Sequence, residues 1–339
     1  MRAGAPGDGR IEFRLPDPDH SYSRVRLDAG LGTAGARPEL AWADGVWSVE
    51  VVLPPLHRVE YGFEVTTTVL DPASSLHVDT GFGHRSVLEL AGYASPAWTA
   101  REVPEGTTTA IAVSVPGVTA ALWSPDGLAE ATPAPLLVVH DGPDYAERGE
   151  LTRYLSVLAA DGTAAHTRAL LLTAEPREAL YAASEDYATA LVTDLIPSVT
   201  RRWPTSATVA VGASLGALAA LHAQWRHPGT FDGLLLQSGS FFSPETDGQE
   251  SAFARWGEVT GFVAELHTDD RAVAALPPVA TTCGSHEENV PNNRKLADRL
   301  RAAGVLLSHT EVADLHNFTC WRDGLDPALR NLLATVTAD

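Results

Sequence analysis

The chain has 339 residues, 45% of them hydrophobic and 20% charged, which excludes a disordered or fibrous protein and allows two or three domains. Its 24 basic against 43 acidic residues leave a formal net charge of −19, a field that repels phosphate, so no nucleic acid and no anionic membrane is expected as partner. The first ten residues, Met1 to Arg10, hold no apolar run of a signal peptide, and nowhere do about eighteen uncharged apolar residues follow one another; the expected location is the cytoplasm, without a membrane span.

From Arg10 to about Tyr93, short runs alternate with period two: Ile11-Glu12-Phe13-Arg14-Leu15, Val46-Trp47-Ser48-Val49-Glu50-Val51 and Val59-Glu60-Tyr61-Gly62-Phe63-Glu64-Val65. Such runs between turn clusters predict a small antiparallel sandwich. Asp44-Gly45 is a hairpin signal, because glycine accepts the positive φ that such turns need. Gly92 to Trp98, followed by Pro104-Glu105-Gly106, is punctuated like a linker, which divides the chain into a β-sandwich module over 1–103 and a second domain over 104–339.

In that second domain apolar strands alternate with helical stretches. The strands are expected at Thr109 to Val113, Ala120 to Trp123, Leu136 to His140, Leu170 to Thr173, Thr208 to Val211, Leu234 to Gln237, Val279 to Cys283 and Leu307 to Val312. Helices are expected at Glu185 to Trp203, Leu215 to His227, Arg294 to Ala303 and Pro327 to Thr337. The alternation predicts an α/β fold, a mostly parallel sheet with helices on both faces. Gly304 suits a helix C-terminal cap. Cys283 and Cys320 are too few for a disulfide framework, lack metal-ligand spacing, and are expected to be reduced and structural; no cofactor and no metal is implied.

The chemistry centres on Gly212-Ala213-Ser214-Leu215-Gly216, between an apolar β-branched run and an alanine-rich helix. That is the strand, turn, helix context of a nucleophile elbow, where a Cβ at either glycine would obstruct the crossing. A serine hydroxyl needs a general base, and the base an orienting acid. Chain order selects His316, in the loop after the last strand, whereas His309 lies inside that strand and is expected to be packed or at an edge. For the acid, the loop Gly284-Ser285-His286-Glu287-Glu288-Asn289 offers Glu287 or Glu288, and Asp314 is a competitor better suited to shaping its own loop. One oxyanion donor is expected to be the N–H of Leu215; the second comes from the Gly-Pro turn after Leu136 to His140, from Gly142 or Asp144, since Pro143 has no N–H.

The segments Val139-His140-Asp141-Gly142, Val211 to Gly216, Gln237-Ser238-Gly239-Ser240-Phe241, Gly284-Ser285-His286-Glu287 and His316-Asn317-Phe318-Thr319-Cys320-Trp321-Arg322 together resemble the enterochelin esterase (ferric enterobactin esterase) family, across nearly the whole chain. Asp44-Gly45-Val46-Trp47, Tyr61-Gly62-Phe63 and Leu70-Asp71-Pro72 are similar to the early-set immunoglobulin-like module that such esterases carry. The resemblance implies an α/β-hydrolase that cleaves the esters of a catecholate trilactone siderophore in the cytoplasm, with Ser214 as nucleophile, His316 as base and Glu287 as acid. An anionic substrate needs a local basic pocket against the −19 overall charge, for which Arg177 and Arg322 are the candidates; Trp321 and His286 of the matching motifs, and Phe242, where relatives carry a tryptophan pair, are expected around the pocket. A small-molecule ester is thus the expected partner, and the oligomeric state is open.

The alternative within the class is a carbohydrate or feruloyl/acetyl esterase, because the N-terminal module also resembles glycan-binding domains and Trp42, Trp47, Tyr61 and Trp98 are of a type that stacks on sugars, although core packing suits most of them better. An acyltransferase using the same acyl-enzyme, or a non-catalytic protein that keeps the fold, is the more distant reading.

Overall fold

The computed structural model describes residues 2–3, 10–30, 37–65, 68–81 and 83–338. Contacts divide the chain into two units: the first comprises residues 1–94 with 284–288 and 313–320, the second comprises 95–283, 289–312 and 321–339.

The first unit contains β1 (Arg2–Ala3), β2 (Arg10–Pro16), β3 (Arg26–Asp28), β4 (Ala41–Ala43), β5 (Val46–Val52), β6 (Arg58–Glu64), β7 (Thr68–Val69), β8 (His77–Asp79) and β9 (His84–Glu89). They form two antiparallel sheets, ordered β1-β2-β5-β4 and β3-β6-β9-β8 with β7 on β6. The alternation in β2 places Ile11, Phe13 and Leu15 on the buried face, where they join Leu27, Trp47, Tyr61 and Phe63 of both sheets in one apolar core. The Phe13 and Tyr61 rings meet edge to face at 4.9 Å across it. Between β4 and β5, Asp44 (φ 50°) and Gly45 (φ 79°) form the expected hairpin turn with two consecutive left-handed residues. Trp47 and Tyr61 are core residues, and Trp42 is 37% exposed.

The second unit contains β10 (Thr107–Ile111), β11 (Val118–Ser124), β12 (Ala134–His140), β13 (Arg168–Ala174), β14 (Thr205–Ala213), β15 (Gly233–Gln237), β16 (Val279–Gly284) and β17 (Leu306–Val312), in one sheet ordered β10-β11-β13-β12-β14-β15-β16-β17. All eight predicted strands are present, each longer than or shifted slightly from its apolar run. The pairs β13–β12, β12–β14, β14–β15 and β15–β16 are parallel, β10–β11 and β11–β13 antiparallel. Every residue of β12, β15 and β16 is buried, as expected where helices cover both faces. This is the strand order of an α/β-hydrolase, with the fifth, seventh and eighth strands ending just before Ser214, Glu287 and His316.

Three local expectations are corrected. The stretch expected as one helix from Glu185 to Trp203 is an α-helix over Glu185–Ala190, a π-turn over Leu191–Leu195 and a further α-helix over Ile196–Thr200. Pro197 explains the break, since it has no N–H to continue the ladder. The helix expected from Arg294 begins at Val290, with Pro291 in its first turn. The presumed linker contains a one-turn 3₁₀ helix, Ala97–Ala100, whose Trp98 is buried with its ring 4.9 Å from that of Tyr154. Gly304 caps the 290–302 helix at φ 77°, as expected.

Candidate active site

Ser214 joins β14 to the helix Leu215–Arg226 and has φ 55° and ψ −125°, a conformation rarely adopted by a side-chain-bearing residue. The crossing is made tight by the two glycines. A Cβ on Gly212 would stand 2.4 Å from the Gly216 carbonyl, and one on Gly216 would stand 3.0 Å from Cβ of His140. Backbone bonds fix the turn: Ser214 N–H donates to Gln237 O at 3.0 Å, and Ser214 O accepts from Ala217, Leu218 and Ser240. The hydroxyl of Ser240 lies 3.1 Å from Ser214 Oγ. Leu215 opens the helix, where N–H groups have no intrahelical acceptor and the dipole favours negative charge.

The segment holding Gly142 and Asp144 is no Gly-Pro turn, as the sequence suggested, but the first turn of a short helix, Gly142–Glu147, entered through Asp141 at φ 54°. Gly142 is required by packing: a Cβ there would lie 2.3 Å from Leu171 Cα. Asp144 pairs with Arg148 one turn on. His140, fully buried, has its Nδ1 3.2 Å from Val211 O, and burial pushes its imidazole down to about 4.

In the first unit, His316 Nδ1 lies 3.2 Å from Glu287 Oε1, while Glu287 Oε2 accepts from Gly284 N–H at 3.0 Å. The Glu287 side chain is fully buried and that of His316 is 29% exposed. With Nδ1–H held by the carboxylate, Nε2 carries the lone pair a general base needs. Glu288, the other acid considered, is exposed. Asp314 shapes its loop as expected: its Oδ1 accepts from Leu315 N–H and Asn317 Nδ2, and Asn317 Oδ1 in turn accepts from Cys320 N–H at the start of the helix Phe318–Asp323. His309 sits in the edge strand β17 against Thr281, as expected.

The candidate substrate contacts are distributed differently from one another. Arg177 grips Asp141 through Nε and Nη2, and Arg322 contacts Glu150 and Asp323, so both cations already face carboxylates. Trp321 is buried, donates to Ser238 Oγ at 2.9 Å and lies nearly parallel to Tyr145. Phe242 is buried against Trp256 and Phe253, and half-buried His286 contacts Ser285 Oγ at 2.8 Å.

Sequence reasoning gave no role to the buried amides that hold the Gln237–Ser240 loop. Asn289 Nδ2 donates to Ser238 O, Asn293 bonds both N and O of Gly239, and Tyr145 OH donates to Gln237 Oε1. The signal was present: Asn292-Asn293 are poor helix formers in a helix's first turn, where buried amides need a reason.

Residues 117–332 match the Esterase family model, described as "Putative esterase". The iron(III) enterobactin esterase of Dickeya dadantii (strain 3937) is 30% identical over 216 residues, 60% of this chain and 49% of that protein, so the chain spans about half the length of this curated relative. Among solved structures, the ferric enterobactin esterase of Salmonella typhimurium superposes with a TM-score of 0.74 at 23% identity, covering 97% of this chain and 94% of the other. The enterobactin esterase of Shigella flexneri, crystallised in the presence of enterobactin, gives 0.75 at 20% identity over 96% and 93%. A ferulic acid esterase gives 0.57 at 17% identity over 68% of this chain and 98% of that one. These structural likenesses establish the fold, and with the family model covering most of the sheet and its strand-end loops, the chain belongs to the Esterase family.

Proposed function

We propose that this protein is a serine carboxylic-ester hydrolase, with 104–339 as its catalytic domain, that opens the ester bonds of an iron-binding catecholate trilactone in the cytoplasm. The observation that carries the reading is the strained elbow at Ser214, φ 55° and ψ −125° at the head of a helix, in a member of the Esterase family. In this reading Ser214 Oγ attacks the ester carbonyl and its proton passes to His316 Nε2, with Glu287 stabilising the imidazolium. The oxyanion is received by the N–H of Leu215 and by that of Gly142 or Asp144. Collapse expels the alcohol, which takes the proton from His316, and water repeats the sequence to release the acid and regenerate Ser214. The trilactone is suggested by the printed activities of the Dickeya relative and of the Shigella and Salmonella structures. Arg177 and Arg322 are its proposed cationic contacts, with Trp321, Phe242 and His286 as pocket residues.

One observation favours a second reading, a feruloyl-type or acetyl ester. Both arginines proposed for an anionic substrate are matched by carboxylates, and the chain carries −19 overall, which suits a neutral ester better than a ferric tris-catecholate. The test is mass spectrometry of products from ferric enterobactin, feruloyl and acetyl esters with wild type and Ser214→Ala. Linear dihydroxybenzoylserine products that vanish with Ser214→Ala are expected. Rapid turnover of a feruloyl ester without trilactone opening would replace the first reading by the second, and equal rates for Ser214→Ala would eliminate the nucleophile.

A further inference from the structure

The loop that bears His316 is packed by the β-sandwich of its own unit. Just before β6, His57 N–H donates to Ala313 O at 2.8 Å. Arg58 Nη1 lies 2.7 Å from Glu60 Oε1 and 3.8 Å from Asp314 Oδ2, and Thr319 Oγ1 donates to Glu60 Oε1 at 3.5 Å. Contacts from one strand therefore reach the loop on both sides of His316. Leu315, immediately before the histidine, is 5% exposed and belongs to the apolar core with Phe13, Leu27, Trp47 and Tyr61. The side chains of Arg58 and Asp314 are 5% and 2% exposed. Burial pushes the Asp314 carboxyl up to about 6, against the opposing pull of Arg58.

We propose that Arg58, through Asp314, and Leu315, as an apolar plug in the sandwich core, are positioning residues for His316, which makes the N-terminal sandwich part of the catalytic support. This rests on the assignment of His316 as general base. The physical argument is that Asp314 divides its two oxygens. Oδ1 fixes the loop through Leu315 N–H and Asn317 Nδ2, and Oδ2 faces the Arg58 guanidinium. Removing one member of a buried ion pair leaves the other uncompensated, and the loop must move or the carboxyl take up a proton. Either outcome disturbs the turn that carries the imidazole, and a misplacement of about 1 Å in a catalytic group costs on the order of 100-fold in rate.

The experiment measures kcat, KM and thermal melting for Arg58→Met, Arg58→Lys, Asp314→Asn, the double variant Arg58→Met/Asp314→Asn, Leu315→Val and His316→Ala. The substrate is p-nitrophenyl butyrate, and the rate of Ser214 labelling by a fluorophosphonate is followed in parallel. Arg58→Met is expected to lower kcat by about tenfold or more with KM within about twofold, and Arg58→Lys to recover most of that loss. The double variant is expected to lose less than the product of the single losses, because Asp314→Asn removes the uncompensated charge on the His316 loop and only Glu60, on the strand, is left without its cation. Leu315→Val, a change mild enough to fold, is expected to lower kcat and the labelling rate severalfold. If Arg58→Met and Leu315→Val melt earlier but turn over at the wild-type kcat per folded molecule, the inference is overturned. Should Arg58→Met not fold, the kcat of Leu315→Val decides in the same sense. His316→Ala separates the two levels: wild-type turnover there sinks the base assignment itself, whereas an inactive His316→Ala beside unaffected Arg58→Met and Leu315→Val sinks only the positioning role.

Discussion

Replacing Gly212 by alanine is the sharpest perturbation of the elbow. The new Cβ would lie 2.4 Å from both C and O of Gly216 and 2.8 Å from Ala217 N, all backbone atoms of the crossing helix. Restoring ordinary contact at 3.4 Å requires about 1 Å of relative movement between β14 and that helix. None of these three atoms is the end of a flexible side chain, so the strain falls on the turn that holds Ser214. Overpacking of this kind costs about 1–3 kcal/mol, and a displacement of about 1 Å at a nucleophile is worth on the order of 100-fold in kcat. Gly216→Ala is the control: its Cβ meets His140 Cβ at 3.0 Å, a deficit of about 0.4 Å, and alanine gains about 1 kcal/mol over glycine inside a helix. Calorimetric melting and p-nitrophenyl butyrate turnover of both variants should therefore show a large loss for Gly212→Ala in both quantities, and near-neutral stability with a loss below about tenfold for Gly216→Ala. Wild-type behaviour of Gly212→Ala, or a reversed order of the two, would refute the close-approach argument.

Acid lability should trace in part to His140. Its pKa is depressed from 6.5 to about 4, so between those values the unfolded chain binds the proton and the folded one does not, and stability falls as pH drops through that window, by about 3 kcal/mol. His140→Gln should make the fall of the melting temperature between pH 6.5 and 4 shallower, leaving the share of His222, whose imidazole burial also pushes down to about 4; an unchanged slope would show that His140 does not contribute. Ser240→Ala removes the 3.1 Å partner of Ser214 Oγ and is expected to lower kcat about fivefold, the equivalent of one hydrogen bond near 1 kcal/mol, without altering the melting temperature. An unaltered kcat and fluorophosphonate labelling rate would deny Ser240 that role. Trp98→Ala empties a buried site against Tyr154 and should cost about 3–5 kcal/mol in urea unfolding, where a solvated linker residue would cost under about 0.5 kcal/mol.

Much of the fold was legible because its signals are local and periodic. Seven-residue β12 is apolar along most of its length because a central parallel strand has no solvent face, and β2 alternates because a sandwich strand has one. Asp44-Gly45 and Gly304 were legible for a different reason, the left-handed backbone that those positions require. Two of the expectations that failed were judged from punctuation. Gly142-Pro143 looked like a turn, yet proline is equally at home in the first turn of a helix, and the glycine answers to Leu171, which is remote in sequence. Trp98 sits among prolines and serine, yet its ring packs on Tyr154 and the turn around it is closed by Thr99 and Arg101 N–H groups, contacts that punctuation does not show.

By itself the sequence determined the residue types and their order: an elbow serine between glycines, an acid loop and a histidine loop after successive strands, and the strand order class that follows from alternating apolar runs and helices. Tertiary structure alone sets the surroundings of chemically equal neighbours. Glu287 and Glu288 are indistinguishable in composition, but only Glu287 has its side chain buried with one oxygen on His316 and the other on Gly284 N–H. Arg177 and Arg322 are candidate cations by residue type, and only the fold sets Asp141, Glu150 and Asp323 beside them. Likewise nothing near His316 in the chain announces Arg58 or the sandwich core around Leu315. Periodicity and backbone preference are written within a few residues, whereas orientation, burial and charge pairing depend on which distant segments the fold brings into contact.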